Sequence, residues 1–187
     1  MTLYDRPQPG KYRLTVDDYV SLAESGAFGD ARTELIDGEI IVMAPEFRRH
    51  AYVRDELAYR LRRALEAIDS NLYAASGSVL FDHHAMPQPD IVLTSEPRGD
   101  GPIPIASVAL LVEVSATTLQ DDLGRKLRLY ARHNIPEYWV VDVERQIIHQ
   151  MWSPKGEVYA QRREVAFGER IEAATVAGLA VEPVSLT

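Results

Sequence analysis

The chain has 187 residues and a formal net charge of −8, an acidic balance that counts against a simple nucleic-acid-binding module because phosphate contacts need local positive charge. It contains no cysteine, which excludes disulfides, thiolate zinc sites and cysteine nucleophiles. Any metal must therefore be bound by oxygen or imidazole ligands, which favours magnesium or manganese. No apolar run approaches the roughly 20 residues that span a bilayer, and Met1–Pro9 lacks the features of a secretory signal, so we expect a cytoplasmic protein without a membrane partner.

The N-terminal part predicts a short helix followed by a hairpin. Thr15 or Asp17 can cap a helix that runs through Glu24, and Gly26 stands where such a helix would end. Asp37-Gly38 lies between two apolar runs, which is a strong signal for two antiparallel strands joined by a tight turn.

The middle of the chain changes from a helical to an extended pattern. Apolar residues between Tyr52 and Ile68 recur at helical spacing and predict an amphipathic helix of about five turns. The arginines on this helix form either a basic surface or an ordinary solvated face. After it, short apolar runs separated by Gly, Pro and Asp predict sheet strands at 72–75, 79–81, 91–94 and 108–115.

A second helix and three further strands are predicted in the C-terminal third. Thr117 or Thr118 can cap the helix, and Pro136 ends it. Its expected buried stripe is Leu119, Leu123, Leu127 and Tyr130. A buried strand follows at 138–143, and a hairpin with strands at 147–152 and 158–161 should turn at Pro154-Lys155-Gly156; the pattern after Arg170 is ambiguous.

These elements predict a single α/β domain over residues 1–187. Residues 1–30 would form an appendage with a short helix, and residues 31–165 would form the core. Because a strand, a helix and another buried strand follow one another, we expect a crossover onto a central mixed sheet that is flanked by helices.

Two acidic residues are the first candidates for chemistry. Alternation along 108–115 places Glu113 on an apolar face, where a carboxylate costs several kcal/mol unless a charge, a metal or a raised pKa compensates it. Asp90 opens another strand and would converge with Glu113 if the two strands are neighbours, giving the hard oxygen ligands that magnesium prefers. Otherwise Glu113 reaches solvent or pairs with an arginine, and Pro89-Asp90 is a turn.

Lys126 is the third candidate, because a helix packed back on the sheet could direct it toward Glu113. Asp122 lies one turn before it and Tyr130 one turn after it, so the three share a helical face. The alternative is an exposed ion pair between Asp122 and Lys126, worth a few tenths of a kcal/mol.

Together these features resemble the PD-(D/E)XK nuclease superfamily and, within it, the small stand-alone Uma family of restriction endonucleases. The resemblance covers roughly residues 30 to 150. In the usual pattern of the superfamily the lysine stands two residues after the acid, where this chain has Ser115, and the Uma family is similar to a variant with the lysine on the next helix. The matching segments are Glu34–Glu39, His50, Pro89-Asp90, Leu111–Ser115, Asp122–Leu127, Tyr130 and Ile135–Asp142.

The resemblance implies a restriction-endonuclease-like fold and a divalent-metal-dependent endonuclease that hydrolyses DNA. Asp90 and Glu113 would bind Mg²⁺ or Mn²⁺, and Lys126 would orient or deprotonate water or neutralise developing charge. His50 and Glu39 are further catalytic candidates. The alternatives are a His50 that packs or hydrogen-bonds locally and a Glu39 that, like Glu34, simply faces water. We expect Asp142 to hydrogen-bond the backbone or cap a turn.

Three functions therefore stay open. Besides a DNA endonuclease, the chain could be an inactive binding protein on a nuclease scaffold, or a metal-dependent phosphodiesterase acting on nucleotides or RNA. For an endonuclease with one site per chain, cleavage of both strands of a duplex is simplest in a homodimer.

Overall fold

A computed structural model of the protein describes residues 10–182. The expectation that Met1–Pro9 is not a secretory signal therefore concerns residues outside the described range. Helix α1 spans Val16–Glu24, and the Thr15 side chain accepts a hydrogen bond from the Asp18 amide in a capping box, as predicted. None of the helices between residues 10 and 182 is long and apolar enough to cross a membrane.

The predicted hairpin is confirmed. Strands β1 (Thr33–Ile36) and β2 (Glu39–Val42) pair antiparallel around Asp37 and Gly38, which both have positive φ. A Cβ at position 38 would lie 2.8 Å from the Cβ of Arg13, so glycine is required there by space as well as by conformation.

Ten further strands follow the hairpin within the described residues. In chain order they are β3 Tyr73–Ala75, β4 Val79–Leu80, β5 Ile91–Thr94, β6 Ile103–Pro104, β7 Val108–Ser115, β8 Glu137–Asp142, β9 Ile147–Lys155, β10 Val158–Ala166, β11 Ile171–Glu172 and β12 Ala180–Val181. Six of them form a mixed sheet at the centre of the protein, in the order β10-β9-β8-β7-β5-β3. Strands β7 and β8 are parallel, and the other neighbouring pairs of this sheet are antiparallel. The short strands β4 and β6 pair in parallel, and β11 pairs with β12.

Helices cover both faces of the sheet, so the predicted α/β architecture is confirmed. Helix α2 (Arg48–Ala67) packs Val53, Leu57, Leu61 and Leu65 against one face. The opposite face is covered by the crossover between β7 and β8. This crossover comprises a helical turn α3 (Leu119–Asp121), a π-helical segment (Asp122–Lys126) and helix α4 (Leu127–Arg132), whose buried Leu129 and Tyr130 join the second core cluster.

The crossover differs from the predicted helix in which residues it buries. Leu119, Leu123 and Leu127 are only partly buried, whereas Asp122 and Lys126 are buried. The π-helical segment was not predicted, and such segments are rare and often lie at functional sites. Here Asp122 and Lys126 are more deeply buried than the three leucines, which still pack against the second core cluster.

The C-terminal region also differs from the prediction. Strand β9 continues through Pro154 and Lys155, and the chain turns at residues 156–157 instead. Beyond residue 165, where the core was expected to end, Ile171, Leu179 and Val181 are buried in the cluster beneath α2. The segment with the ambiguous pattern thus completes the core.

Candidate active site

Asp90 and Glu113 lie opposite each other on neighbouring strands. Ile91 pairs with Val112 in the antiparallel register of β5 and β7, which places Asp90 beside Glu113 at the end of β5. Oδ2 of Asp90 accepts a hydrogen bond of 2.8 Å from the Val114 amide, which fixes the aspartate on the edge of β7. The convergence that strand alternation suggested is therefore present.

Lys126 reaches from the π-helical segment to Glu113. Its Nζ lies 3.1 Å from Oε1 of Glu113, 3.3 Å from Oε1 of Glu34 and 4.0 Å from Oδ1 of Asp122. The lysine side chain is only 7% exposed, so the alternative of a solvated ion pair with Asp122 is wrong. Lys126 instead lies among three buried carboxylates.

Tyr130 provides the second donor to Glu113. Its hydroxyl is buried and donates a hydrogen bond of 2.6 Å to Oε1, the same oxygen that Lys126 contacts. Tyr130 was expected in the buried stripe of the crossover helix and on the helical face of Asp122 and Lys126, but it was not predicted as a site residue. Its helical spacing from Lys126 and Asp122 was the signal that could have assigned it to the site.

The Ser115 side chain holds Asp122 in place. The serine hydroxyl donates a hydrogen bond of 2.5 Å to Oδ2 of Asp122, and the Thr118 hydroxyl donates one of 2.6 Å to the same oxygen. Asp122 is thereby fixed beside Lys126.

The charges in this cluster are strongly coupled. Burial raises the pKa of Glu113 well above its usual value, and the nearby carboxylates of Asp122, Asp90 and Glu34 add to this effect against the opposing charge of Lys126. Burial alone would lower the pKa of Lys126, but Glu113, Glu34 and Asp122 outweigh it and raise that pKa. Lys126 therefore stays charged, and Glu113 takes up a proton more readily than an exposed glutamate does.

His50 joins the site from helix α2. Its Nε2 lies 3.2 Å from Oδ2 of Asp90, and its Nδ1 lies 3.1 Å from Oε1 of Glu46, which Arg54 also contacts. Burial lowers the pKa of His50, but Asp90 and Glu46 together raise it above its usual value. The histidine both packs locally and contacts Asp90; Glu46, one turn earlier, was not predicted to take part.

The two hairpin acids occupy opposite environments. Glu34 is 3% exposed and contacts Lys126, so the interpretation that it faces water is wrong. Glu39 is exposed and pairs with Lys11 at 3.1 Å, away from the other candidates. The structure brings Asp90, Glu113, Lys126 and His50 together but leaves the predicted candidate Glu39 outside, and it adds Glu34 in its place.

The cluster forms the floor of an open cleft of about 790 Å³. Six carboxylates and four basic side chains line it, in addition to His50. The acids are Glu34, Glu46, Asp90, Glu113, Asp121 and Asp122, and the basic residues are Arg32, Arg125, Lys126 and Arg128. Because acidic side chains outnumber basic ones, the cleft attracts cations electrostatically.

The carboxylates of Asp90 and Glu113 suit a metal site that the protein completes only together with water and substrate. Between residues 10 and 182, no three His, Asp or Glu side chains are arranged to hold a metal ion by themselves. Among hydrogen bonds between described residues, Oδ1 of Asp90 and Oε2 of Glu113 accept none. Because Mg²⁺ commonly takes one or two carboxylates and fills its other positions with water and substrate phosphate, these two residues fit an ion shared with a substrate.

Comparisons with known proteins agree on the type of fold. A family model, Uma2, described as "Putative restriction endonuclease", matches residues 16–185. A crystal structure from Anabaena variabilis ATCC 29413, described as that of "a putative nuclease belonging to DUF820", is similar with a TM-score of 0.65 and 17% sequence identity. The similarity covers 86% of this chain and 89% of that one, and at this identity it concerns the fold alone. No curated protein matches the chain at a significant level.

Proposed function

The chain belongs to the Uma2 restriction-endonuclease-like family, and from this premise we propose that it is a divalent-metal-dependent endonuclease of the PD-(D/E)XK type that hydrolyses phosphodiester bonds in DNA. The observation that carries the proposal is the convergence of Lys126 and Tyr130 on Glu113, beside Asp90, at the floor of an open cleft. A buried, charged lysine can stabilise the negative charge that develops during phosphoryl transfer. Without such a role, burying the charge only costs desolvation free energy.

Asp90 and Glu113 are the residues that would hold Mg²⁺ or Mn²⁺. The metal would supply Lewis-acid activation of the phosphate and a lower pKa for an attacking water. Asp90 is oriented for this role by the Val114 amide, at 2.8 Å, and by His50, at 3.2 Å. Contacts of this kind, from groups that do not themselves bind the metal, fix the direction of a ligating carboxylate, so His50 is a positioning residue in this proposal.

Lys126 would act on the transition state. Because neighbouring carboxylates raise its pKa, it stays protonated and serves as a fixed positive charge rather than as a general base. Negative charge grows on the phosphoryl oxygens as water adds to phosphorus, and a preorganised ammonium group stabilises that charge. Glu34 and Asp122 keep the ammonium group in place from its other sides.

Cleavage assays test this proposal. Purified protein is incubated with plasmid, linear duplex, single-stranded and branched DNA, in magnesium, in manganese and in chelator. We expect cleavage only with metal, and its loss in Asp90→Ala and Glu113→Ala. Asp55, an exposed acid on α2, provides the matched control, and Asp55→Ala should cleave normally. Cleavage that persists in chelator or in either site variant would contradict the proposal.

Calorimetric titration with manganese separates this function from a binding protein on a nuclease scaffold. The nuclease proposal predicts heat of binding that disappears in Asp90→Ala and remains in Asp55→Ala. An inactive scaffold predicts no binding heat that depends on Asp90, when circular dichroism shows that both the unchanged protein and Asp90→Ala are folded. An RNA or nucleotide phosphodiesterase would instead bind manganese through Asp90 but cleave none of the four DNA substrates.

A further inference from the structure

An exposed aromatic side chain lies on the wall of the cleft. Phe47 immediately precedes α2, lines the cleft and is 70% exposed. It belongs to none of the three core clusters of the described residues. Phe47 stands three residues before His50, whose ring contacts Asp90, and all three residues line the same cleft.

An aromatic ring in this position suits the flat face of a nucleobase. Proteins that bind single strands stack bases on exposed aromatic side chains, and this contact tolerates any base. A base inside a continuous duplex is already stacked on both faces, so only an unpaired base can use such a ring without being pulled out of its stack. Phe47 therefore favours a substrate with an unpaired base.

The charges of the cleft wall favour one strand over two. Arg125 pairs with Asp121 at 2.8 Å, and Arg32 lies 3.7 Å from Glu46. Arg128 is exposed and makes no ion pair with any residue between 10 and 182, which leaves it available for a phosphate. With six acids lining the cleft and a net charge of −8 on the chain, a second strand of phosphates would meet repulsion.

We propose that the cleft binds a nucleic acid strand with an unpaired base next to the scissile phosphate, with Phe47 stacked on that base and Arg128 on a neighbouring phosphate. This substrate class rests on the proposed function and deepens it. Single strands, flaps and ends offer such an unpaired base, whereas an uninterrupted duplex does not. Cleavage of one strand at a time requires only one site per chain.

Binding measurements test the inference apart from catalysis. Fluorescence anisotropy is measured with labelled DNA of one sequence as a single strand, a flap and a full duplex, and with the matching RNA strand, in chelator and in calcium. We expect the single strand and the flap to bind at least about tenfold more tightly than the duplex, because only they offer a base to Phe47. The RNA strand tests whether the sugar matters, since it offers the same bases and phosphates.

Variants of the cleft wall identify the contacts. Phe47→Ala should weaken single-strand binding by about tenfold, and Phe47→Trp should restore it. Arg128→Ala should weaken binding to all strands and reduce the slope of log affinity against log salt by about 0.7. Two controls lie outside the cleft: Tyr59→Ala, an exposed aromatic on α2, and Arg98→Ala, an exposed arginine; both should bind like the unchanged protein.

The outcomes for the two proposals are distinct. Duplex binding as tight as single-strand binding, or no strand binding in either buffer, would overturn the inference even if cleavage occurs. The same holds if Phe47→Ala binds like Tyr59→Ala. Preferential single-strand binding that depends on Phe47, without cleavage in any metal, would support the inference and contradict the nuclease chemistry.

Discussion

Glu113 and Glu137 stand on the neighbouring strands β7 and β8, and both carboxylates are buried. Glu137 accepts four hydrogen bonds from neutral donors. Its Oε1 takes 2.6 Å bonds from Trp139 and Gln150, and its Oε2 takes bonds of 2.8 and 2.9 Å from the amide and hydroxyl of Thr175. The two bonds from Thr175 attach the C-terminal segment to the sheet.

Glu113 is held in the opposite way. Two donors share its Oε1, three further acids, Glu34, Asp90 and Asp122, act on it through their charges, and the group lines an open cleft. A buried carboxylate that neutral donors fully satisfy serves the fold, because nothing remains for it to bind. A buried carboxylate with surplus acids around it is suited to a cation. Burial of an acid alone therefore does not identify a functional site; the balance of charges around it does.

The largest effect that would test this contrast is on turnover. Lys126→Ala should lower the cleavage rate by about a hundredfold or more, because the transition state loses a fixed positive charge. Manganese binding through Asp90 and Glu113 should remain, as measured by calorimetry. Because a missing buried cation can also destabilise the fold, Lys126→Arg serves as a second variant that retains charge but changes its position. Normal cleavage by a folded Lys126→Ala would show that the lysine has no role in the reaction.

At Glu137 the expected effect is on stability. Glu137→Gln keeps the size of the side chain but turns one acceptor into an NH₂ group among donors, so unfolding free energy should fall by about 3 kcal/mol. Urea denaturation followed by circular dichroism measures this change. The folded variant should retain its metal-dependent activity. A loss of metal binding with unchanged stability would reverse the roles assigned to the two glutamates.

The hairpin acids sharpen the contrast on a smaller scale. Glu34→Gln removes one carboxylate from Lys126, 3.3 Å away, and should lower the cleavage rate by about tenfold. Glu39→Gln removes only an exposed ion pair with Lys11, and such pairs contribute at most about 1 kcal/mol. Initial cleavage rates at saturating magnesium compare the two variants. Equal rates would mean that burial beside Lys126 does not distinguish them.

The smallest effect is a pH dependence of stability in the metal-free protein. The pKa of Glu113 is raised by burial, so above its usual value of 4.5 the folded state keeps a proton that the unfolded chain has released. Unfolding free energy should therefore fall as pH rises from that value toward the raised pKa. Denaturation in chelator from about pH 5 to about pH 8 should show this fall, and Glu113→Gln should lessen it. Identical slopes for the two proteins would contradict the raised pKa.

Several elements of this protein follow directly from local sequence patterns. The capped helix α1, the Asp37-Gly38 hairpin, the long helix α2 and the alternating strand β7 were all predicted, because each depends on residues close together in the chain. The pairing of Asp90 with Glu113 needed only the additional assumption that their strands are neighbours. Helical geometry, together with the family resemblance, then indicated Lys126.

The π-helical segment and the assignment of the hairpin acids required the tertiary structure. Leucine spacing in the crossover fits a regular helix equally well, and nothing local shows that Asp122 and Lys126 are more deeply buried than the three leucines. Likewise, alternation in a short hairpin separates Glu34 from Glu39 only once the packing partner of each face is known. Glu46 and Phe47 carry no periodic signal at all.

By itself, then, the sequence determined most of the elements, the mixed α/β fold and the candidate acids Asp90 and Glu113, since hydrophobic periodicity and turn chemistry act over a few residues. Only the tertiary structure decided which carboxylates surround Lys126, that Glu137 is satisfied and Glu113 is not, and that Phe47 borders the cleft. The physical reason is that electrostatic environment and burial depend on groups far apart in the chain, and their balance exists only when the chain has folded.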